Sequence, residues 1–137
     1  YKVKGRSVHL DGQARSLAKL FGDEEAEHVA ALTKAIKSLG ATPVKKPTFA
    51  FPVTNQASFL KLAYELENLG VGAYNGAGPS LKSKQLLAAA GSIVQVEGRH
   101  AASIGVLTGM KVTPNGAFDV PLTKQQVLAK AGPLIKM

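Results

Sequence analysis

The spacing Glu-x-x-His occurs twice in this chain, as Glu25-Ala26-Glu27-His28 and as Glu97-Gly98-Arg99-His100, and nothing else in the sequence restricts the fold so tightly. Residues three apart project from one face of an α-helix, so each copy aims a carboxylate and an imidazole at one point. The second copy lies on a stripe that continues through Leu86, Ala90, Ile93 and Ile104 at steps of three and four, the pattern of a helix with one buried side. The first continues through Leu32, Ile36 and Leu39 in the same way. An unpaired carboxylate in such a stripe costs on the order of several kcal/mol, so its presence needs a partner. One such pair alone reads as the solvated edge of a helix. Two pairs on two apolar faces read as ligands.

Two helices that each bring Glu-x-x-His, joined by carboxylates from two more, form the ligand set of di-iron or di-manganese bundles. A third ligand helix is expected over Ala57 to Tyr74, capped by Thr54 or Asn55. It contains its own control. Glu67 shares a nearly apolar face with Leu60, Ala63, Tyr64, Val71 and Tyr74, whereas Glu65 shares a polar one with Ser58, Lys61 and Asn68. Glu67 is the inward carboxylate. Gly70 and Gly72 weaken this helix but admit another backbone close to it. The run from Gly70 to Gly78 has Asn75 where a dinucleotide loop needs its third glycine.

The rest of the chain fits around these helices. Residues 1–22, interrupted by Gly5, Gly12 and Gly22, read as an irregular segment with a short helix from Gln13 to Phe21. His9 stands there alone and takes no role. Asp23 and Glu24 carry the negative charge favoured at a helix N-terminus, so the first ligand helix is expected at 23–39, with Glu24 and Glu27 serving the dipole and solvent, and Gly40 as its stop. Pro43, Pro47 and Pro52 with Phe49 and Phe51 forbid helix and predict a long extended crossover over 40–55. After the turn at 75–79, a helix at 81–107 carries Glu97 and His100. A loop through Phe118-Asp119-Val120-Pro121 follows, then a last short helix opened by the capping-box spacing of Thr123 and Gln126 and ending near Gly132. The whole is read as one domain over 1–137, with 23–107 as the bundle helices and 108–137 as a C-terminal loop and short helix.

Composition closes off other classes. The chain has 137 residues, 45% of them hydrophobic and only 6% aromatic with no Trp, which favours closely packed helices over a β-sandwich. No apolar run approaches the roughly 20 residues that a membrane span requires. Zero cysteines remove disulfides, thiolate metal sites and cysteine nucleophiles. The excess of 17 basic over 9 acidic residues gives +8. Yet Lys34, Lys37, Lys45, Lys46, Lys61, Lys82 and Lys84 are dispersed, without aromatic platforms or an arginine cluster, so the charge reads as a solvated face and not as a nucleic-acid surface.

Several stretches together resemble the ferritin-like family of desiccation-related and stress-associated proteins. They are residues 23–29 (DEEAEHV), the proline-rich phenylalanine connector, 59–63 (FLKLA), 66–74 (LENLGVGAY), 96–101 (VEGRHA) and 116–121 (GAFDVP). The resemblance implies an all-α, ferritin-like four-helix bundle and a metal site of Glu25, His28, Glu67, Glu97 and His100, with Tyr74 as an outer hydrogen-bonding partner. Within it, Glu97 or Glu25 would bridge, His28 and His100 would be terminal ligands, and Glu67 would complete the set. The cofactor implied is di-iron, with di-manganese as the alternative. The activity implied is that of a ferroxidase or of an oxygen- or peroxide-reducing oxidoreductase acting in stress protection. Many relatives are exported, which implies a secreted or cell-envelope location, with the cytoplasm as the alternative.

The pattern also wants a glutamate from a first helix, and none precedes Glu24. Three ligand helices leave one side of a bundle uncovered. Either Tyr1 is the end of that helix, with its glutamate upstream of this sequence, or another chain, such as a second copy, donates the helix. The competing reading is a metal-free structural or interaction protein, part of an extracellular assembly, in which the same residues form a hydrogen-bonded polar core.

Overall fold

The computed structural model describes residues 2–3 and 6–136, with side chains from Val8 onward. Tyr1 and Gly5, which entered the expectations above, lie outside the described residues. Two short strands, β1 (Lys2–Val3) and β2 (Arg6–Ser7), pair antiparallel ahead of the helices. Three long helices follow: α1 (Gly12–Ser38), α2 (Gln56–Ala77) and α3 (Lys84–Thr108). A short α4 (Lys124–Ala131) and β4 (Ile135–Lys136) close the chain.

The first ligand helix does not begin at Asp23. It begins eleven residues earlier, at Gly12, so the short helix expected over 13–21 and the helix expected over 23–39 are one continuous helix. Gly22 costs about 1 kcal/mol relative to Ala inside a helix, but local and tertiary contacts on both sides of it outweigh that. Lys19 Nζ reaches Asp23 Oδ2 at 2.7 Å across the glycine. Ala14 is buried with Leu60 and Ile104, and Phe21 packs against that cluster. Asp23 is thus the i+4 partner of a lysine, and the acidic pair sits mid-helix, where no dipole is available to it.

The remaining boundaries follow local chemistry. Asn55 caps α2, its Oδ1 accepting the Ser58 N–H at 2.8 Å, and the Ser58 hydroxyl accepts the Asn55 N–H in return. Pro79 lies in a single 3-10 turn at Gly78–Ser80, which delays α3 until the Ser83 cap. Gly109, at φ +73°, ends α3, and Gly40, at φ +76°, follows the end of α1. Thr123 and Gln126 form the reciprocal cap that their spacing predicts.

The turn between α2 and α3 is short and the two helices pack along their lengths as a hairpin. Helix α1 lies against α3. Its inward stripe is buried at Ala14 and partly buried at Phe21, Glu25 and His28, but it opens to solvent at Leu32 and Leu39, 40% and 66% exposed, where the sequence pattern expects burial. On α3 the expected stripe holds, with Ile93 and Ile104 buried.

The proline-rich crossover is extended, and Phe49 and Phe51 stack on each other at 5.4 Å. Its strand β3 (Thr48–Phe49) pairs antiparallel with β4, so the C-terminus ties the crossover down. On the other side of α2 the loop before α4 crosses the helix closely. The Leu122 N–H donates to the Gly72 carbonyl at 2.8 Å. A Cβ at Gly72 would meet the Leu122 side chain at 2.7 Å, and one at Gly76 would overlap the Leu122 carbonyl. Gly72 therefore serves the close backbone approach expected of it and Gly76 serves another, whereas Gly70 meets only the Glu97 side chain.

Candidate metal centre

Four side chains converge where the three long helices meet. Glu25 from α1, Glu67 from α2, and Glu97 and His100 from α3 each offer a ligand atom within 4.8 Å of the others. Glu97 and His100 are buried, at 6% and 2% exposure, inside the Ile93–Ile104 stripe. Gly70 of α2 faces Glu97, and a Cβ there would stand in ordinary contact, 3.7 Å from Glu97 Cγ. Glu65, the control residue, is exposed.

His28 stands beside this group. Its Nδ1 lies 3.3 Å from Glu25 Oε1 and 3.5 Å from Glu97 Oε1. The His100 Nδ1 faces the same two residues from the other side, 3.5 Å from Glu25 Oε1 and 3.7 Å from Glu97 Oε2, and is 3.3 Å from Glu67 Oε2. Glu97 therefore turns one oxygen to each imidazole. Tyr74 is only partly exposed on the same α2 face, and burial together with the charges of Glu97 and Glu25 raises its hydroxyl to about 12.

The electrostatics follow from crowding acids and imidazoles out of water. Burial pushes the Glu97 carboxyl up to about 9, helped by Glu25 and Glu67 beside it. The His100 imidazole holds the Glu25 carboxyl below its usual range, against the effect of its burial. For His100 itself burial acts downward, but Glu25, Glu67 and Glu24 together overcome it and hold the ring at about 10. A metal-free centre at neutral pH is thus a protonated Glu97 and an imidazolium among carboxylates.

Glu24 does not face solvent as expected but turns to His100. Its Oε2 accepts a hydrogen bond from His100 Nε2 at 2.7 Å. Once α1 begins at Gly12, the steps Leu17, Phe21, Glu24 and His28 lie along one face, and the ring of Phe21 stacks on His100 at 3.9 Å. The signal was available in the spacing, but only to a reader who carried the helix through Gly22.

Residues 3–110 match the family of ferritin-like domains. The chain belongs to that family. No curated protein matches it. For this ferritin-like chain the fit of a metal ion can be tested on its own atoms. Buried polar groups in native proteins nearly always have a hydrogen-bond partner, yet Glu25 Oε1 and His28 Nδ1 are buried without one. Both carry lone pairs, and both belong to a set of oxygen and imidazole donors suited to iron or manganese. The cluster of Glu and His residues fits a metal ion. Among the described residues, helices α1, α2 and α3 bring three carboxylates and two imidazoles to this point, and no fourth long helix adds another.

Proposed function

We propose that this protein holds a carboxylate-bridged pair of iron ions, or of manganese ions, and uses it to handle Fe(II), oxygen or peroxide under stress. The single observation that carries the reading is that the buried atoms Glu25 Oε1 and His28 Nδ1, 3.3 Å apart within a five-residue donor set, make no hydrogen bond. A polar core kept only for structure would satisfy both. In this reading Glu97, with an oxygen toward each imidazole, is the bridging residue. His28 and His100 hold opposite ends, and Glu25 and Glu67 complete the set. Bound there, the ions would supply the two-electron chemistry of oxygen or peroxide reduction.

The chain's own residues prepare that chemistry. Glu97 and His100 would give up protons on ligation, which couples metal capture to proton release. A cavity of about 290 Å³ reaches Glu25, Glu67 and Glu97 past Phe51, Val53, Phe59, Leu62 and Leu66. Its apolar lining favours small uncharged reactants over ions. Tyr74 stands next to the bridging carboxylate as an outer partner.

The motifs quoted from the sequence support the desiccation- and stress-associated branch of the family, and with it an exported location. Exposed Leu32 and Leu39, one face of α1, support a second copy as the cover for its open side. Elemental analysis of protein purified from its source, with Fe(II) and Mn(II) uptake by the stripped chain, tests the central claim. Two equivalents of transition metal per chain are expected. A chain with only a trace of metal and no uptake would instead favour the structural reading. A monomer on sizing that still takes two ions would remove the second copy from the proposal.

A further inference from the structure

We infer that Glu24 is a positioning residue that presets the His100 ring for metal capture and thereby makes the two histidine ends of the centre unequal. The inference rests on the metal reading above. The Glu24–His100 contact, at 2.7 Å, is the shortest histidine–carboxylate contact of the cluster. A carboxylate accepts and does not donate, so the proton of this bond sits on Nε2. The other nitrogen, Nδ1, then faces Glu67, Glu25 and Glu97 as the one available for a metal. A hydrogen-bonded carboxylate behind a ligating imidazole fixes ring orientation and raises its basicity. Helix α1 supplies both restraints, since Phe21, one turn before Glu24, stacks on the same ring with planes 26° apart.

The chain contains its own comparison. Glu24 immediately precedes Glu25 in the first Glu-x-x-His, and the position that precedes Glu97 in the second is Val96. Among the described residues His28 makes no hydrogen bond, and its Nδ1 is buried without a partner. One imidazole is therefore held from behind by a carboxylate and an aromatic face, while the other is held by neither. A preset ligand loses less freedom on binding than a free one. The His100 end fills first and the His28 end second.

Two measurements on the full chain test this. In metal-free protein labelled with ¹⁵N-histidine, the His100 Nε2–H proton should resist exchange with water, and Glu24→Ala should abolish that protection. Titration with Mn(II) followed by electron paramagnetic resonance should show a tighter and a weaker step. Glu24→Ala should weaken the tighter step by about 10- to 100-fold. Glu24→Gln, whose amide oxygen still accepts the proton, should recover part of that loss, with helix content by circular dichroism unchanged in both. Retained protection in Glu24→Ala, or equal Mn(II) affinity in the variants and the wild type, would overturn the inference. Absence of Mn(II) binding by the wild type would overturn the metal reading, and the proton signal would still decide whether Glu24 orients the ring.

Discussion

Replacing Glu97 by glutamine separates the stability of the centre from its use. The carboxyl is 6% exposed, and burial with Glu25 and Glu67 alongside raises it from 4.5 to about 9. A group whose folded value is raised in this way takes up a proton when the chain folds at pH values between its unfolded and folded values. For a carboxyl that uptake is a cost, absent below pH 4.5, growing as pH rises and level once pH passes about 9. At pH 7 the interval above the unfolded value is about 2.5 pH units, and at about 1.36 kcal/mol per unit the cost is at most about 3 kcal/mol. Glutamine keeps the shape and carries no charge to suppress. Metal-free Glu97→Gln should therefore be more stable than metal-free wild type at pH 7, by up to that amount, with the advantage widening from pH 5 to pH 8. The same variant should lose most metal binding if Glu97 is a ligand, because an amide is a poor substitute for a carboxylate. Urea unfolding of chelator-treated proteins at several pH values reads the first effect. A wild type that is the more stable at every pH, or a difference that does not vary with pH, would refute the reasoning.

Three other outcomes are expected. Glu67→Gln should impair metal binding while Glu65→Gln should not, since only Glu67 faces the cluster; equal behaviour in metal titrations would show the register argument wrong. Metal capture at pH 7 should release about two protons per chain, because Glu97 and His100 are raised to about 9 and about 10 and neither ligates while protonated. Calorimetry in buffers of different ionisation enthalpy measures the number, and zero release would contradict it. Gly76→Ala should destabilise the fold by about 1–3 kcal/mol or more, because the new Cβ overlaps the Leu122 carbonyl, and a wild-type melting temperature would show that the loop yields freely.

What was legible in the sequence was local and periodic. Two Glu-x-x-His pairs and the steps Leu86, Ala90, Ile93 and Ile104 placed α3 and its inward residues, and the Glu65–Glu67 contrast gave the register of α2. Prolines showed that 40–55 is extended. The fusion of the short helix at 13–21 with the helix at 23–39 was not legible, because Gly12 and Gly22 look like breakers to any window of a dozen residues. What overrides them is burial of Ala14 and Phe21 against partners on α2 and α3, far away in the chain. Glu24 was lost with that boundary, since its partner is 76 residues distant. The pairing of β3 with β4 is of the same kind: each strand is two residues long and has no pattern of its own.

The hairpin of α2 and α3 and the remote attachment of α1 imply an order of assembly. Contacts close in sequence form before those that must close long loops. The hairpin, joined by one short turn, therefore gathers Glu67, Glu97 and His100 into half a centre while α1 is still undocked. Helix α1 arrives afterwards, across the whole proline-rich crossover, carrying Glu24, Glu25 and His28 together. The final docking step of folding is thus the step that creates the donor set, and a change that loosens α1 disables the centre while leaving the hairpin standing.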